Sequence, residues 1–178
     1  GEKMQKEFRK MVYNDLPAIK KYKEEFIKSE ENMDGTGGLS AAVNIEEWFC
    51  RSVENENENS ISDKLVPAIQ YIYIDHSTNK IIGMLQLRLK LNQYLTSIGG
   101  HIGYSINPTE RKKGYGKQML KQVLIEAKKQ GLEKVLLTCD SDNKGSRKII
   151  ESNRGILEET IFNEERAKTI NRYWIYLE

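Results

Sequence analysis

The segment from Gly99 to Gly131 constrains this chain more than any other. It reads as a β-branched and aromatic run stopped at Pro108, a basic loop with glycines at positions 114 and 116, and an amphipathic helix over Gly116–Gln130 that Gly131 closes. Met119, Leu120, Val123, Leu124 and Ala127 fall on one face of that helix and lysines on the other. A helix with a single apolar face must bury it, and the strand-like runs on either side supply the surface.

The other elements follow the same logic. Asp15–Glu30 starts with an Asp in N-cap position and Pro17, then spaces Leu16, Ile19, Tyr22, Phe26 and Ile27 as a helix. Gly35, Gly37 and Gly38 break the chain before a second helix, Asn44–Val53, with Ile45, Trp48, Phe49 and Val53 on one side. Glu54–Ser60 is a Glu and Asn run with nothing to bury, read as a solvated loop, or alternatively as a partner-binding segment. Ala68–Asp75, turn residues His76–Asn79 and Lys80–Leu91 predict a hairpin, and Gly99–Ile106 a third strand. Lys134–Cys139 reads as a strand, Lys144–Asn153 as a short helix, and Ile156–Phe162 with Thr169–Leu177 as a closing hairpin. This interleaving predicts one mixed α/β domain over 1–178 around a central sheet, with N-terminal helices in 1–65 and the core in 66–178.

Composition excludes several classes. Apolar runs such as Ile69–Ile74 are far shorter than the ~20 residues a membrane helix needs, and Gly1–Lys10 has no secretory pattern. Cys50 and Cys139 stand apart with no CxxC spacing, and His76 and His101 are the only histidines, so neither a metal site nor a disulfide framework is expected. The thiols fit a reducing cytoplasm. Net charge is +2, without the excess that polyanionic nucleic acid or anionic lipid demands, so neither partner is expected. The total hides a local +6 over Glu110–Lys148 and −4 elsewhere.

That basic stretch begins at Arg111-Lys112-Lys113-Gly114-Tyr115-Gly116. Two glycines at a helix start let successive N–H groups converge on one anion, where the helix dipole already favours negative charge and Arg111, Lys112, Lys113 and Lys117 add cations. A diphosphate suits such a loop. The Walker pattern needs a wider glycine spacing, and the dinucleotide fingerprint needs a small residue where Met119 stands. Taken alone, the loop has a plainer alternative, a strand-to-helix turn with solvated lysines.

With its strand before, its helix after, and Asn143-Lys144-Gly145-Ser146 opening a further helix, the loop resembles the RxxGxG motif of the GNAT superfamily of acyl-CoA-dependent N-acyltransferases. The resemblance is carried by 99–155 and extends loosely over 66–177. Gly99-Gly100-His101-Ile102-Gly103-Tyr104, Arg88 and Arg172-Tyr173-Trp174 look most similar to a group of bacterial acetyltransferases without an agreed substrate. The resemblance implies an α+β fold with a mostly antiparallel central sheet containing a splayed parallel pair, flanked by helices. It also implies acetyl-CoA as co-substrate. Arg111, Lys112, Lys113, Gly114, Tyr115, Gly116 and Lys117 would hold its pyrophosphate, Asn143 and Ser146 would lie along its arm, and a backbone N–H among Ser105, Ile106 and Asn107 would meet the thioester oxygen.

The implied reaction is direct attack of an amine on the thioester. His101 is the first choice of general base, with a structural histidine as the alternative, and Glu110 is a weaker choice. The family's usual tyrosine, seven residues after the Asn, is replaced by Ile150, so the acid is assigned to Tyr104, with Tyr173 or water as alternatives. Arg88 is a candidate for a substrate carboxylate and Tyr173 for substrate contact, although packing is the plainer role for Tyr173 and Trp174. Cys139 reads as a small apolar residue, and Arg154, where a glycine usually closes the helix, as a cation near the cofactor or without a role. The acceptor is expected to be a small amine or amino-acid-like molecule, and the closing strands leave room for a homodimer. The competing function is a degenerate acyl-CoA-binding or interaction module.

Overall fold

A computed structural model describes residues 5–58 and 65–178; positions 59 and 60 of the expected solvated loop lie outside them. The predicted hairpin is the centre of the molecule. β2 (Ala68–Asp75) and β3 (Lys80–Arg88) pair antiparallel, and the turn between them is fixed by Asp75, whose side chain accepts from the Ser77 amide at 2.9 Å and from its hydroxyl at 2.6 Å. Both strands are buried on two faces, which is why they read as nearly continuous apolar runs. The sequence carried β3 on to Leu91; it stops at Arg88, and a short helix α3 (Gln93–Ser97) follows. Gly99 and Gly100 then take positive φ of 98° and 62°, so the third strand, β4, starts only at Ile102 and runs to Ile106.

One strand escaped the sequence pattern. β1 (Lys6–Lys10) pairs antiparallel with β2, but four of its five residues are charged and only Phe8, stacked on Tyr71 at 4.9 Å, marks the buried side. Such charge is usual on an edge strand, where it blocks further pairing. The first sheet is therefore β1-β2-β3-β4. A second sheet, β5-β7-β6, is built from β5 (Lys134–Asp140), β6 (Ile156–Asn163) and β7 (Lys168–Tyr176).

Every ladder among the described residues is antiparallel, and none joins β4 to β5. The central sheet is thus parted there, as the expected splay requires. The two halves meet just before β4: the His101 amide donates to Leu136 O at 2.8 Å, and the Gly99 amide to Thr138 Oγ1 at 2.7 Å.

Helices cover both faces. α1 (Leu16–Ser29) and α2 (Ile45–Glu54) bury Ile19, Tyr22, Phe26 and Trp48 against Ile72, Ile74, Ile81 and Met84. α4 (Tyr115–Lys129) and α5 (Lys144–Ser152) lie on the other face, where Met119, Leu120, Val123, Ala127 and Ile150 meet Tyr71, Leu85, Leu87 and Val135. Asp15 stands at the α1 N-cap as expected but does not cap the helix. Its carboxylate instead takes Arg9 at 2.8 and 2.9 Å and the Val12 amide at 2.7 Å. Burial works against its charge, yet these bonds prevail and hold its pKa below the ordinary carboxylate value.

Candidate active site

β4 sets the geometry. Among the described residues the central sheet is parted at the outer edge of β4, and strand alternation decides which amides face the opening. The Asn107 amide donates to Ile82 O at 2.7 Å, and Arg88 donates to His101 O at 2.7 Å. With the Met84↔Ser105 register between them, the odd-numbered residues of β4 exchange bonds with β3. Ser105 and Asn107 therefore turn their amides inward, and Tyr104 and Ile106 turn theirs toward the opening. Of the three residues expected to supply an oxyanion donor, Ile106 alone has its amide on the open side.

The side chains of Ser105 and Asn107 are structural. Ser105 Oγ bonds the Tyr22 hydroxyl at 2.8 Å, tying β4 to α1. Asn107 is wholly buried; its Nδ2 donates to Ile81 O at 3.2 Å, and its Oδ1 accepts from the Thr109 amide at 3.0 Å. This closes the turn Pro108–Glu110 that delivers the chain to α4.

The N-terminus of α4 differs from its neighbours in chemistry. α2, α3 and α5 each begin with an asparagine whose Oδ1 accepts an amide of the first turn. α4 begins at Gly114, which has no side chain to offer, in the left-handed region at φ 81°. Lys112 is also left-handed, at φ 63°. A Cβ on Gly114 would meet nothing within 4 Å, so the space in front of the helix is open. Gly116 has another purpose: a Cβ there would come within 2.6 Å of Ile149 Cδ1, so its absence lets α4 approach α5. The amides of Tyr115, Gly116 and Lys117 are left to an external acceptor, and an anion fits.

The cations around this point are partly spoken for. Arg111 pairs with Glu31 at 2.5 Å and lies over the Phe26 ring, while Lys113 pairs with Glu110 at 2.7 Å. Glu110 also faces Lys80 at 3.6 Å. Held by two lysines beside the loop, Glu110 is an ion-pair partner and not the free base considered from sequence. The Arg154 guanidinium is paired with Glu178 at 2.6 Å, while its neighbour Asn153 donates to Lys117 O at 3.4 Å.

On the α5 side of β4, the Tyr104 hydroxyl donates to Ser146 Oγ at 3.2 Å. Burial is the main cause that pushes its pKa up to about 12, so the phenol keeps its proton. Asn143 caps α5 through the Ser146 amide at 3.1 Å. Ile150 is buried in the core. A phenol is therefore brought to α5 from β4, although α5 carries none itself. Cys139 is half-buried, and burial raises its thiol to about 11, so it stays protonated.

Three expectations are corrected. His101 is 6% exposed, and its Nδ1 accepts the Leu136 amide at 2.9 Å. That bond places the ring proton on Nε2 and leaves no free lone pair, while burial and then Arg88 lower its pKa to about 4. It is a strut between the sheets, not a base. Arg88 gives Nε to Gln86 Oε1 at 3.1 Å and Nη1 to the Gly99 and Gly100 carbonyls at 3.1 and 3.2 Å, so no edge of the guanidinium keeps two uncommitted nitrogens for a side-on carboxylate. Tyr173 is 1% exposed within the core and donates to Glu151 at 3.3 Å, out of a substrate's reach.

The sequence reading passed over the turn at Met33–Gly38, treating it only as a break. Gly35 lies on β4, where a Cβ would be 2.3 Å from Gly103 O and 2.6 Å from Tyr104 Cα. A charged residue followed by glycines, Asp34-Gly35-Thr36-Gly37-Gly38, was the available signal.

Comparison with known proteins agrees with this geometry. The acetyltransferase (GNAT) family is matched over residues 40–156. No curated protein matches the chain by sequence. Among solved structures, the ribosomal-protein-S5-alanine acetyltransferase of Vibrio fischeri superposes with a TM-score of 0.73 at 16% identity, covering 98% of this chain and 94% of that one. A ribosomal L7/L12 alpha-N-protein acetyltransferase in complex with coenzyme A gives 0.72 at 16% identity, covering 99% and 97%. A spermidine N-acetyltransferase chimera from Vibrio cholerae gives 0.67 at 18% identity, covering 97% and 96%. At such identities the structures share the fold, and the family match over most of the chain carries the assignment: this protein is a member of the GNAT acetyltransferase family.

Proposed function

We propose that the protein transfers an acetyl group from acetyl-CoA to a primary amine by direct attack within a ternary complex. The observation that carries this reading is the α4 N-terminus, closed by no side chain and opening beside the β4 edge, where the Tyr104 and Ile106 amides face the gap. The Tyr115–Lys117 amides would hold the pyrophosphate, with Arg111, Lys112 and Lys113 adding charge. Arg111 and Lys113 would exchange Glu31 and Glu110 for phosphate oxygens. Asn143 and Ser146, at the start of α5, would flank the arm.

In the reaction the amine nitrogen forms a bond to the carbonyl carbon, the carbon–sulfur bond breaks, the nitrogen loses a proton to solvent, and the sulfur gains one. The Ile106 amide is placed to donate to the oxygen as it becomes an oxyanion. Tyr104 would donate a hydrogen bond to the departing sulfur rather than surrender its proton: a phenol held at about 12 is a weaker acid than a thiol of about 8.5. The amine of a small molecule or amino-acid-like compound, or of a peptide, satisfies this chemistry equally.

A second reading, an acyl-CoA-binding module without turnover, is favoured by Ile150, a core residue where the family's tyrosine usually stands. Calorimetric titration with acetyl-CoA, followed by thiol release on adding amines, separates the two. Gly114→Asp places a carboxylate in the open space before α4 and is expected to weaken acetyl-CoA binding at least tenfold; because φ 81° strains a side chain there, a thermal melt checks that the variant is folded. Equal affinity in that variant, or no binding by the native protein, overturns the assignment.

A further inference from the structure

The first cation of the α4 loop is held from outside the loop, by the chain that leaves α1. Arg111 gives Nη1 to Glu31 Oε1 at 2.5 Å, and its guanidinium lies over the Phe26 ring, 5.9 Å from the centroid. Nη2 approaches Ile106 O at 3.4 Å. The amide and carbonyl of one strand residue point the same way, so this carbonyl shares the open side of β4 with the Ile106 amide. Paired with Glu31, Arg111 is thus committed to the end of α1 and to the last open-side residue of β4.

Glu31 differs from the other carboxylate beside the loop. Glu110 pairs with Lys113 three residues on, so it belongs to the loop and moves with it. Glu31 stands 80 positions before Arg111, and the fold sets its place. The Tyr22 hydroxyl bonds Ser105 Oγ at 2.8 Å, and Thr109 Oγ1 donates to Glu25 at 3.3 Å, which ties α1 to β4 and to the Pro108–Glu110 turn. Glu30 then ends the helix in the left-handed region at φ 59°, and Glu31 follows. At 40% and 45% exposure the side chains of Arg111 and Glu31 remain in water, where such a pair is weak and exchangeable. Tethering nevertheless gives the carboxylate an effective concentration of roughly millimolar. A free monoanion offers Arg111 no more than Glu31 does. A diphosphate brings more charge and takes the α4 amides at the same time.

We propose that Glu31 is an intramolecular competitor for the cofactor's phosphates. It holds Arg111 until a diphosphate displaces it, which lowers coenzyme A affinity and screens Arg111 from simple anions. This inference rests on the acetyl-transfer reading above. The competing explanation is a surface pair without bearing on the cofactor.

The test is calorimetric titration of the native protein and its variants with coenzyme A. Glu31→Gln keeps the size of the side chain and removes its charge, and is expected to bind coenzyme A about two- to fivefold more tightly, the range an exposed ion pair allows. In an Arg111→Gln background the same change is expected to have no effect, because nothing is left to release. Glu30→Gln removes an equal charge one residue away and is expected to leave the affinity unchanged, which separates the contact from the general field. Inorganic phosphate at millimolar concentration and constant ionic strength is expected to compete with coenzyme A more strongly in Glu31→Gln than in the native protein. Glu31→Ser takes the place of the Gln variant if thermal melting shows that the latter is unfolded. Equal or weaker coenzyme A binding by the neutral variant, the same gain in Glu30→Gln, a gain that persists without Arg111, or equal competition by phosphate overturns the proposal alone. Failure of coenzyme A to bind the native protein overturns the acetyl-transfer reading along with it.

Discussion

His101 spends its one acceptor on the Leu136 amide, and the consequence is measurable without any substrate. Its folded pKa of about 4 lies below the roughly 6.5 of an unfolded histidine. Between these values the unfolded chain takes up a proton that the folded chain refuses. Stability contributed by the neutral ring is complete above pH 6.5 and is lost as pH falls toward 4, by up to about 3 kcal/mol. Asp15, whose pKa is depressed, loses its contribution lower still, as its carboxylate protonates. In His101→Gln the amide oxygen can still accept from Leu136 but nothing titrates. Urea denaturation at pH 7 and pH 4.5 is expected to show a smaller loss in this variant than in the native protein, and turnover, where present, is expected to survive the change.

At the scale of elements, the clearest strain is at the end of α5. Arg154 follows the Asn153 C-cap in the left-handed region at φ 68°, while Gly155 closes back on Ile150 O at 2.9 Å. A non-glycine residue pays about 1–2 kcal/mol there. Its guanidinium gains only an exposed pair with Glu178, of a kind worth about 0–1 kcal/mol. Against the greater chain entropy of glycine, Arg154→Gly is expected to raise the urea midpoint by the equivalent of about 0.5 kcal/mol. Because the Arg154 guanidinium is turned to Glu178, acetyl-CoA affinity is expected not to move.

For the whole molecule, three segments distant in sequence meet at one strand edge. The Met33–Gly38 turn, β4 with its loop, and the start of α5 converge although they span more than a hundred positions. Gly35 is the tightest of these contacts. Gly35→Ala would put a Cβ 2.3 Å from Gly103 O at a φ that disfavours it, so the turn must lift from β4. The variant is expected to lose about 2 kcal/mol in urea denaturation, with coenzyme A affinity retained. The surface charge acts at this scale too. The basic stretch that looked free in sequence is partly matched by Glu31 and Glu110, so its net pull on an anion is smaller than the local excess suggests.

Much of this was legible because the signals are local. Amphipathic spacing placed α1, α2 and α4, glycine and proline marked the α4 loop, and the family whose motif that loop resembles is matched over residues 40–156. β1 was hidden because an edge strand with one apolar residue has no alternation to read, and α3 because five residues are too few for a period. The roles of side chains were the least legible. His101, Arg88 and Tyr173 carry chemistry that suits a site, yet their partners are Leu136, the Gly99 and Gly100 carbonyls, and Glu151, all brought to them by the fold. Gly35 is the reverse: an ordinary residue in a glycine-rich turn until packing sets that turn on β4. By itself the sequence determined which segments become helices and strands and where an anion can bind, since both depend on backbone propensities within a few residues. Only the tertiary structure decided which polar groups are already satisfied and which still face the opening, because that depends on neighbours from other parts of the chain.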